Sequence, residues 1–494
     1  MLSRRGFVGA AGAFAVFNRA FALAPSAGSA GEGDAKLRFG VISDVHLKEP
    51  GDEEHLLKAF AFFRDRGADG VMVAGDIADT GRVSQLKLFA DAWQTVFPGN
   101  RGLDGRPVEK LFVYGNHCVD GWTWGGFKGR DDLAETEAIG YRDNRARVWE
   151  ELFHEKYEPI WLKKVRGYTF IGAHWKDGSH TDIEEFLARR GGEIDPSRPF
   201  FYVQPAHPKD TCFGSWAWGH DDGASTRALS RFPNAVAFSG HSHYTLTDDR
   251  TVWQGAFTSI NTASMKYSSL DYSLRDNFGN DNSSGYRGER GRAKPHPRVY
   301  IGRLQEADVP ASDGVNLMQG RQGMLVSVYD DRLVIERREF VTGHSLGADF
   351  VLPLPAAASR PYAYAEHAKR RTAPEFPPDA KIAVDFVEDE EKAVGRAVRL
   401  VLPRAGERGG CRVFDYEVSA VLFEDDVDLV QVQRRFIAPD FFLPLERRIP
   451  SCEFRLSLAD LKLKGHYRFR VVPIECFGRK GAALWSDVVE VCEA

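Results

Sequence analysis

The sequence predicts an α/β core in its first two thirds and an all-β domain at its C-terminus. From Lys36 to about residue 239, short apolar runs alternate with amphipathic helical patterns, and this alternation is typical of a sheet covered by helices. Beyond residue 379, strand-like segments follow one another without helices between them, which favours a β-sandwich of roughly 100 residues. A chain of 494 residues is long enough for two or three domains.

In the α/β part, the hydrophobic periodicity places the individual elements. Strands are predicted at 37–42, 71–74, 111–114, 168–173, 200–203 and 235–238, and helices at 53–66, 83–96 and 132–156. Further β-rich segments follow at 251–262, 324–329 and 332–340. Residues 266–322 are rich in Ser, Asn, Gly, Arg and Tyr without a clear period, so a long surface excursion is expected there.

The remainder of the chain divides into a linker and a tail. We predict an α/β domain at 36–350, a Pro-rich linker at 351–378 and a β-sandwich at 379–494, with strands at 397–402, 413–423, 427–437, 467–474 and 488–491. The segment 467–486 resembles the closing hairpin of a fibronectin type III module. This resemblance implies an immunoglobulin or fibronectin-like sandwich.

The first 24 residues read as a signal peptide. Arg4 and Arg5 precede Phe7 and a short, weakly apolar stretch, and small residues after it offer an Ala-x-Ala cleavage point. The paired arginines resemble a twin-arginine export signal, which implies a bacterial protein in the periplasm or secreted; an ordinary secretory signal is the alternative.

Composition excludes several classes of protein. Lys and Arg number 65 against 70 Asp and Glu, so the chain lacks the basic footprint of a nucleic-acid-binding protein. No apolar run of about 18 residues follows the N-terminal segment, so no membrane span is expected once the signal is removed. Six cysteines are too few for a disulfide-built scaffold, and those of the tail (Cys411, Cys452, Cys476 and Cys492) are either paired or free.

Five short motifs, each just past a predicted strand, carry the chemistry. They are Asp44-Val45-His46, Gly75-Asp76, Gly115-Asn116-His117, His207-Pro208 and Gly240-His241-Ser242-His243. Any one of them occurs by chance in many proteins, whereas the ordered set at strand ends is difficult to obtain by accident. Imidazole, carboxylate and amide ligands together suit Mn, Fe or Zn rather than Ca or Mg.

Together these motifs resemble the calcineurin-like metallophosphoesterase family over about residues 37 to 340. The resemblance implies a four-layer αββα sandwich that binds two divalent or trivalent metal ions. It assigns Asp44, His46 and His243 to one metal, and Asn116, His207 and His241 to the other. Asp76 would bridge the two ions, and His117 would face the scissile phosphate.

Such a centre implies hydrolysis of a phosphate ester. Metal ions lower the pKa of a bound water toward ~7, so that a bridging hydroxide attacks phosphorus at neutral pH. His117 would stabilise the developing charge or protonate the leaving oxygen. The expected substrate is a phosphorylated small molecule or a phosphodiester, with monoester against diester and the oligomeric state left open.

His117 lacks the partner that the family pattern usually supplies. Cys118 follows it where the family has Asp or Glu, so Asp120 is predicted to orient His117, with a solvated loop carboxylate as the alternative. Cys118 is expected to be a buried, inert thiol. Asp79 is expected to cap the next helix, and a hydrogen bond to a ligand such as His46 is the alternative.

Two glycine-flanked tryptophan loops follow the third and fourth motifs. Trp122 and Trp124 lie in 121–126, and Trp216 and Trp218 in 214–220. Both loops should rim the cleft, because ligands bind beyond the carboxyl ends of strands in α/β sheets. The tryptophans either stack on a base, a sugar or a lipid head group, or pack on each other.

The sequence therefore predicts an exported dinuclear-metal phosphoesterase. Two alternatives remain open. One is a 5′-nucleotidase-like phosphatase, which export, Asp120 and the aromatic loops favour. The other is a non-catalytic exported binding protein whose metal site is only structural and whose β-sandwich does the binding.

Overall fold

A computed structural model describes residues 35–127, 129–175, 182–213, 221–268, 300–301, 321–388, 395–406, 412–424, 427–444, 446, 448–461 and 463–492. The predicted signal peptide, the loop of Trp216 and Trp218, most of the predicted excursion at 266–322 and Cys411 lie outside these residues. The described helices are Glu54–Asp65 (α1), Val83–Val96 (α2), Asn116–Asp120 (α3), Asp131–Glu137 (α4), Asn144–Phe153 (α5), Asp182–Arg190 (α6), Ala224–Leu229 (α7) and Tyr364–Arg370 (α8).

In the first two thirds of the chain, strands precede, separate and follow the helices α1 to α7. They are Leu37–Ile42 (β1), Gly70–Ala74 (β2), Glu109–Val113 (β3), Ile160–Val165 (β4), Tyr168–Ala173 (β5), Phe200–Val203 (β6), Ala235–Ser239 (β7), Val252–Gln254 (β8), Thr258–Asn261 (β9), Tyr300–Ile301 (β10), Gln322–Val328 (β11), Arg332–Glu339 (β12) and Phe350–Pro353 (β13). Within the described ranges they form one sheet of order β13-β12-β11-β1-β2-β3 and a second of order β4-β5-β6-β7-β9-β8, while β10 joins a C-terminal sheet.

Apolar side chains hold the two sheets face to face. The ring of Phe39 on β1 contacts the rings of Phe170, Phe201 and Phe238 on the second sheet at centroid distances of 5.2, 4.8 and 5.8 Å. Helices α1, α2 and α5 cover the outer face of the first sheet, and α6 and α7 cover that of the second. Each amphipathic helix thus buries its apolar stripe on a sheet, and the predicted mixed α/β fold is confirmed.

The single helix predicted at 132–156 is wrong, because two helices, α4 and α5, occupy that stretch. Ala138, which follows α4, is extended and bridges Arg82. A side chain at Gly140 would overlap the backbone carbonyl of Val119, so the chain approaches α3 too closely for a helix to continue. Tertiary packing overrides the local helical pattern here.

The C-terminal part is all β apart from α8. Its strands are Ala383–Glu388 (β14), Arg396–Pro403 (β15), Val413–Glu424 (β16), Val427–Ile437 (β17), Ser451–Ser457 (β18), Gly465–Glu475 (β19), Leu484–Trp485 (β20) and Val489–Val491 (β21). They form a sheet β10-β17-β16-β19-β20, with β21 also on β19, and a sheet β14-β15-β18. The all-β character is confirmed, whereas the immunoglobulin or fibronectin-like identity and the domain limits stay predictions.

Helix α8 lies in the stretch predicted as a linker, 351–378, and contacts the α/β part. The hydroxyl of Tyr364 accepts a hydrogen bond from the backbone N–H of Phe213 at 3.0 Å and donates to the carbonyl of Arg250 at 2.5 Å. Tyr364 is itself buried. The residues around α8 therefore pack on the loop that follows His207.

In the described part of the chain, no helix combines the length and the apolar character that crossing a membrane requires.

The described cysteines are all free thiols. Cys118, Cys212, Cys452 and Cys476 are buried, and Cys492 is exposed. Burial raises the pKa of the Cys118 thiol to about 12, which agrees with the inert thiol predicted there.

Candidate metal centre

The predicted site residues follow the carboxyl ends of β1, β2, β3, β6 and β7. Asp44, His46, Asp76, His241 and His243 all have positive φ values, between 45° and 66°. Non-glycine residues adopt this left-handed conformation rarely and at an energetic cost, and it concentrates at functional sites. These side chains are thus held in place by backbone that is costly to form.

Two glycines let the motifs approach one another. A Cβ atom at Gly115 would overlap the carboxylate of Asp76. A Cβ atom at Gly240 would overlap the carboxylate of Asp44 and the hydroxyl of Ser43. The Gly-Asn-His and Gly-His-Ser-His motifs therefore need glycine because another motif's aspartate occupies the space of a side chain.

Backbone amides link the motifs in pairs. The N–H of His241 donates to both carboxylate oxygens of Asp44, at 3.1 and 3.0 Å. The N–H of His117 donates to Oδ1 of Asp76 at 2.8 Å. The hydroxyl of Ser43 also donates to Asp44, a partner that sequence reasoning missed. Both carboxylates are thus oriented by neutral donors before any metal binds.

One group of ligand atoms consists of Asp44, His46 and His243, all buried, with one ligand atom of each within 4.8 Å of the others. Nε2 of His243 lies 3.1 Å from Oδ1 of Asp44 and 3.2 Å from Nε2 of His46. Nδ1 of His243 is buried and has no hydrogen-bond partner within the described residues. Two ring nitrogens facing one carboxylate form a donor set that fits a divalent transition metal.

A second group shares His46 with the first. It consists of His46, Asp76 and His117, again within 4.8 Å of one another. Close to it, Nδ1 of His241 donates to the amide oxygen of Asn116 at 3.0 Å. The structure therefore brings together six of the seven residues assigned to metals, with His117 beside them.

Both ring nitrogens of His207 form hydrogen bonds to serine side chains. The hydroxyl of Ser239 donates to Nδ1 of His207 and Nε2 donates to the hydroxyl of Ser242, each at 2.8 Å. The ring is fully buried, and burial lowers its pKa to about 3, with the neighbouring His241 acting in the same direction. Within the described residues, His207 is therefore held by two serine hydroxyls, and the ligand role that the resemblance implies for it stays a prediction.

Asp79 performs the role that the sequence analysis gave as the alternative. Nδ1 of His46 donates to Oδ1 of Asp79 at 3.2 Å, which leaves the lone pair of Nε2 directed at the cluster. Asp79 does not cap α2, whose N-cap residue is Arg82. The expectation of a helix cap is therefore wrong.

The predicted partner of His117 is also replaced. Nδ1 of His117 donates to the backbone carbonyl of Asp79 at 2.7 Å. Asp120 accepts a hydrogen bond from Nε1 of Trp175 at 2.9 Å, and the indole of Trp175 stacks on His241 at a centroid distance of 5.9 Å. The structure thus places Asp120 on the indole of Trp175 and gives the orientation of His117 to a carbonyl group that the motif does not reveal.

The charges of the cluster are coupled. Burial alone would raise the pKa of Asp44, but the charges of His243 and His46 outweigh it and lower that pKa to about 2. Burial and the neighbouring Asp44 raise the pKa of Asp76. The pKa of His243 is raised because Asp44 outweighs the effect of burial. Adjacent carboxylates with opposed pKa shifts indicate a site that gains from added positive charge.

Comparison with known proteins finds a similarity that includes most of the residues of this site. Residues 37–245 match the family model described as calcineurin-like phosphoesterase, so this stretch of the chain is similar to that family. Proteins of this family bind divalent metals. No curated protein sequence matches the chain.

Solved structures similar to this chain include two phosphatases. A dimetal phosphatase from Danio rerio is 13% identical, with a TM-score of 0.33, over 65% of this chain and 99% of that one. A purple acid phosphatase from yellow lupin is 13% identical, with a TM-score of 0.40, over 65% of this chain and 55% of that one. Both TM-scores lie below 0.5, so no functional argument is drawn from these two structures.

Proposed function

We propose that this protein is a metal-dependent phosphoric ester hydrolase with two metal ions, of Mn, Fe or Zn, in its centre. The observation that carries the proposal is the pair of overlapping ligand groups, Asp44, His46 and His243 on one side and His46, Asp76 and His117 on the other. A structural metal site needs one closed ligand set, whereas a second carboxylate, Asp76, and a further histidine, His117, beside the first set suit catalysis.

The chain's own residues divide the work as follows. Asp44, His46 and His243 would hold one metal, Asn116 and His241 would contribute to the other, and Asp76 would be available to either. When bound, divalent metals neutralise the phosphoryl oxygens and activate water as the nucleophile. These six side chains follow the ends of strands in the two sheets. Because the strands are buried, the positions of the six side chains are fixed.

His117 is the general acid for the leaving group. Because its Nδ1 donates to the carbonyl of Asp79, the ring is held with Nε2 as the atom that can reach substrate. As an imidazolium, Nε2–H donates to the departing oxygen and then transfers its proton to that oxygen. General acid catalysis of this kind typically contributes ~10²–10⁴ in rate.

The test is hydrolysis by protein loaded with Mn, Fe or Zn. Bis-p-nitrophenyl phosphate reports diesterase activity and p-nitrophenyl phosphate reports monoesterase activity, and nucleoside 5′-phosphates test the nucleotidase alternative. His154→Gln is a matched control, because His154 is exposed at the end of α5. Two results together would favour the non-catalytic binding protein. They are that no metal-loaded form hydrolyses any of these esters and that Asp76→Asn binds as much metal as wild type.

We also propose that the protein is exported through the twin-arginine pathway to the periplasm or beyond. The support is Arg4-Arg5 followed by Phe7 and a short, weakly apolar stretch. Replacing both arginines by lysine in the full chain should retain the protein in the cytoplasm of the producing bacterium, as measured by cell fractionation. Export that is unchanged in this variant would favour the ordinary secretory signal.

A further inference from the structure

Two exposed aromatic side chains contact the histidines of the metal centre. The ring of Trp124 lies 5.4 Å from that of His117, and the ring of Tyr267 lies 4.2 Å from that of His243. Tyr267 also stacks on His46, at 6.1 Å with an interplanar angle of 29°. The two rings thus flank the cluster through different histidines.

Their exposure is unusual for this part of the molecule. Among the described residues before position 269, only three large apolar side chains are exposed: Leu103, Trp124 at 54% and Tyr267 at 45%. Two of these three touch the candidate metal centre. Apolar aromatic surface that stays in water beside buried ligands is the usual mark of a ligand-contact surface.

The backbone beneath Trp124 is fixed. The N–H of Trp124 donates to the carbonyl of Gly121 at 3.2 Å, and a Cβ atom at Gly125 would lie 2.9 Å from the carbonyl oxygens of Gly121 and Thr80. The loop therefore packs directly on the Thr80 backbone, next to the second motif. Trp122 is different, because its ring packs on Tyr141 at 5.3 Å and belongs to a buried cluster with Phe127.

Tyr267 is anchored to the first motif. The hydroxyl of Ser264 donates to the backbone carbonyl of Asp44 at 3.0 Å and accepts from the N–H of Tyr267 at 3.3 Å. Next to it, Lys266 forms an ion pair with Asp52 at 3.0 Å.

We propose that Trp124 and Tyr267 form a stacking surface for the leaving group, so that the preferred substrates are phosphoesters whose leaving group carries a planar ring. This inference rests on the proposed function and names its substrate class. A phosphate on the cluster would lie beside both rings, and a planar group attached to it would cover aromatic surface that is now exposed to water. Stacking on a ring that is already fixed costs little conformational entropy.

The experiment measures binding instead of turnover. The metal-loaded full chain is titrated with phenylphosphonate and with methylphosphonate, which share the anionic group and differ in the ring, by isothermal titration calorimetry. We expect wild type to bind phenylphosphonate more tightly by roughly fivefold to a hundredfold, the range that stacking on an aromatic side chain supplies. Trp124→Ala and Tyr267→Ala should each reduce this ratio, and Tyr267→Phe should retain it.

Trp485→Ala is the matched control, because Trp485 is exposed on β20 in the C-terminal sheet. Equal affinity of wild type for the two phosphonates, or a ratio that is unchanged in either alanine variant, overturns the proposal. The outcome is separable from the proposed function. A ring preference without hydrolysis of any ester would overturn the hydrolase alone, and no binding of either phosphonate would overturn both.

Discussion

Asp79 orients His46 through its side chain, with Oδ1 accepting a hydrogen bond from Nδ1 of His46 at 3.2 Å. The backbone carbonyl of the same residue accepts from Nδ1 of His117 at 2.7 Å. A single residue after β2 therefore fixes the rings of a candidate ligand and of the candidate general acid. The hydrogen bond from His46 is also the main cause that lowers the pKa of Asp79, so this carboxylate stays ionised.

Removing the Asp79 carboxylate should weaken metal binding. Asp79→Ala keeps the backbone carbonyl that holds His117 but removes the hydrogen-bond partner of the His46 ring. Because loss of a hydrogen-bond partner of a metal ligand typically costs roughly 10–100-fold in metal affinity, we expect a decrease of that size in Asp79→Ala. Competition with a chelator measures the affinity. Asp91→Ala serves as the control, because Asp91 pairs with Lys87 on the exposed side of α2. An affinity equal to that of wild type would contradict the role assigned to Asp79.

His117 and Asp120 should behave differently on substitution. His117→Gln should lower kcat by roughly 10²–10⁴ with little loss of bound metal, because the general acid is removed while the six proposed metal ligands stay. Asp120→Asn keeps an oxygen for the indole N–H of Trp175, so kcat and its pH profile should stay close to wild type. Steady-state kinetics across pH, with metal content measured on the same samples, checks both. A displaced pH profile in Asp120→Asn would restore the partner role that the sequence suggested.

Much of the fold was predictable because burial leaves a regular pattern. The limits predicted for β1 at Leu37–Ile42 and for α2 at Val83–Val96 agree with the structure to the residue. Strand β14, Ala383–Glu388, was missed, since its side chains are mostly exposed or half-buried and give no strong alternation. The break between α4 and α5 depends on Gly140 passing close to Val119, a contact that no local pattern contains.

The candidate site was predictable for the residues whose spacing is local. Asp44 with His46, and His241 with His243, lie two residues apart at the end of a strand, so each strand end delivers its pair together. The orientations of His207 and Asp120 were not predictable, because their partners Ser239 and Trp175 lie 32 and 55 residues away along the chain. A motif specifies which side chain is available, whereas remote partners decide where its atoms point.

His207 offers a direct test of that difference. From these hydrogen bonds we expect His207→Gln to leave the metal-to-protein ratio unchanged and to destabilise the fold. Two buried serine hydroxyls would lose their hydrogen-bond partner, and each unsatisfied buried hydroxyl costs about 1–3 kcal/mol. Elemental analysis gives the ratio, and urea denaturation gives the free energy of unfolding. Ser239→Ala should destabilise in the same way. A loss of one metal ion in His207→Gln alone would return His207 to the ligand set that the resemblance implies.

His174, at the end of strand β5, predicts a loss of stability in acid. Its Nδ1 accepts from the N–H of Tyr114 at 2.9 Å, and its ring is packed among Tyr114, Trp149 and Tyr157. Burial, followed by the charges of Lys163 and Arg145, lowers its pKa from 6.5 to about 3. A histidine that is kept neutral in this way contributes stability above pH 6.5, and that contribution is lost as the pH falls from 6.5 toward 3, because the unfolded state binds the proton more readily.

At pH 5 the loss should amount to roughly 1–2 kcal/mol for this residue. His174→Gln keeps an acceptor for the Tyr114 N–H but does not titrate, so the urea midpoint should fall less between pH 7.5 and pH 5 than it does in wild type. His154→Gln, at an exposed position, should retain the full dependence. An acid dependence in His174→Gln as steep as that of wild type would show that the buried imidazole is not its source.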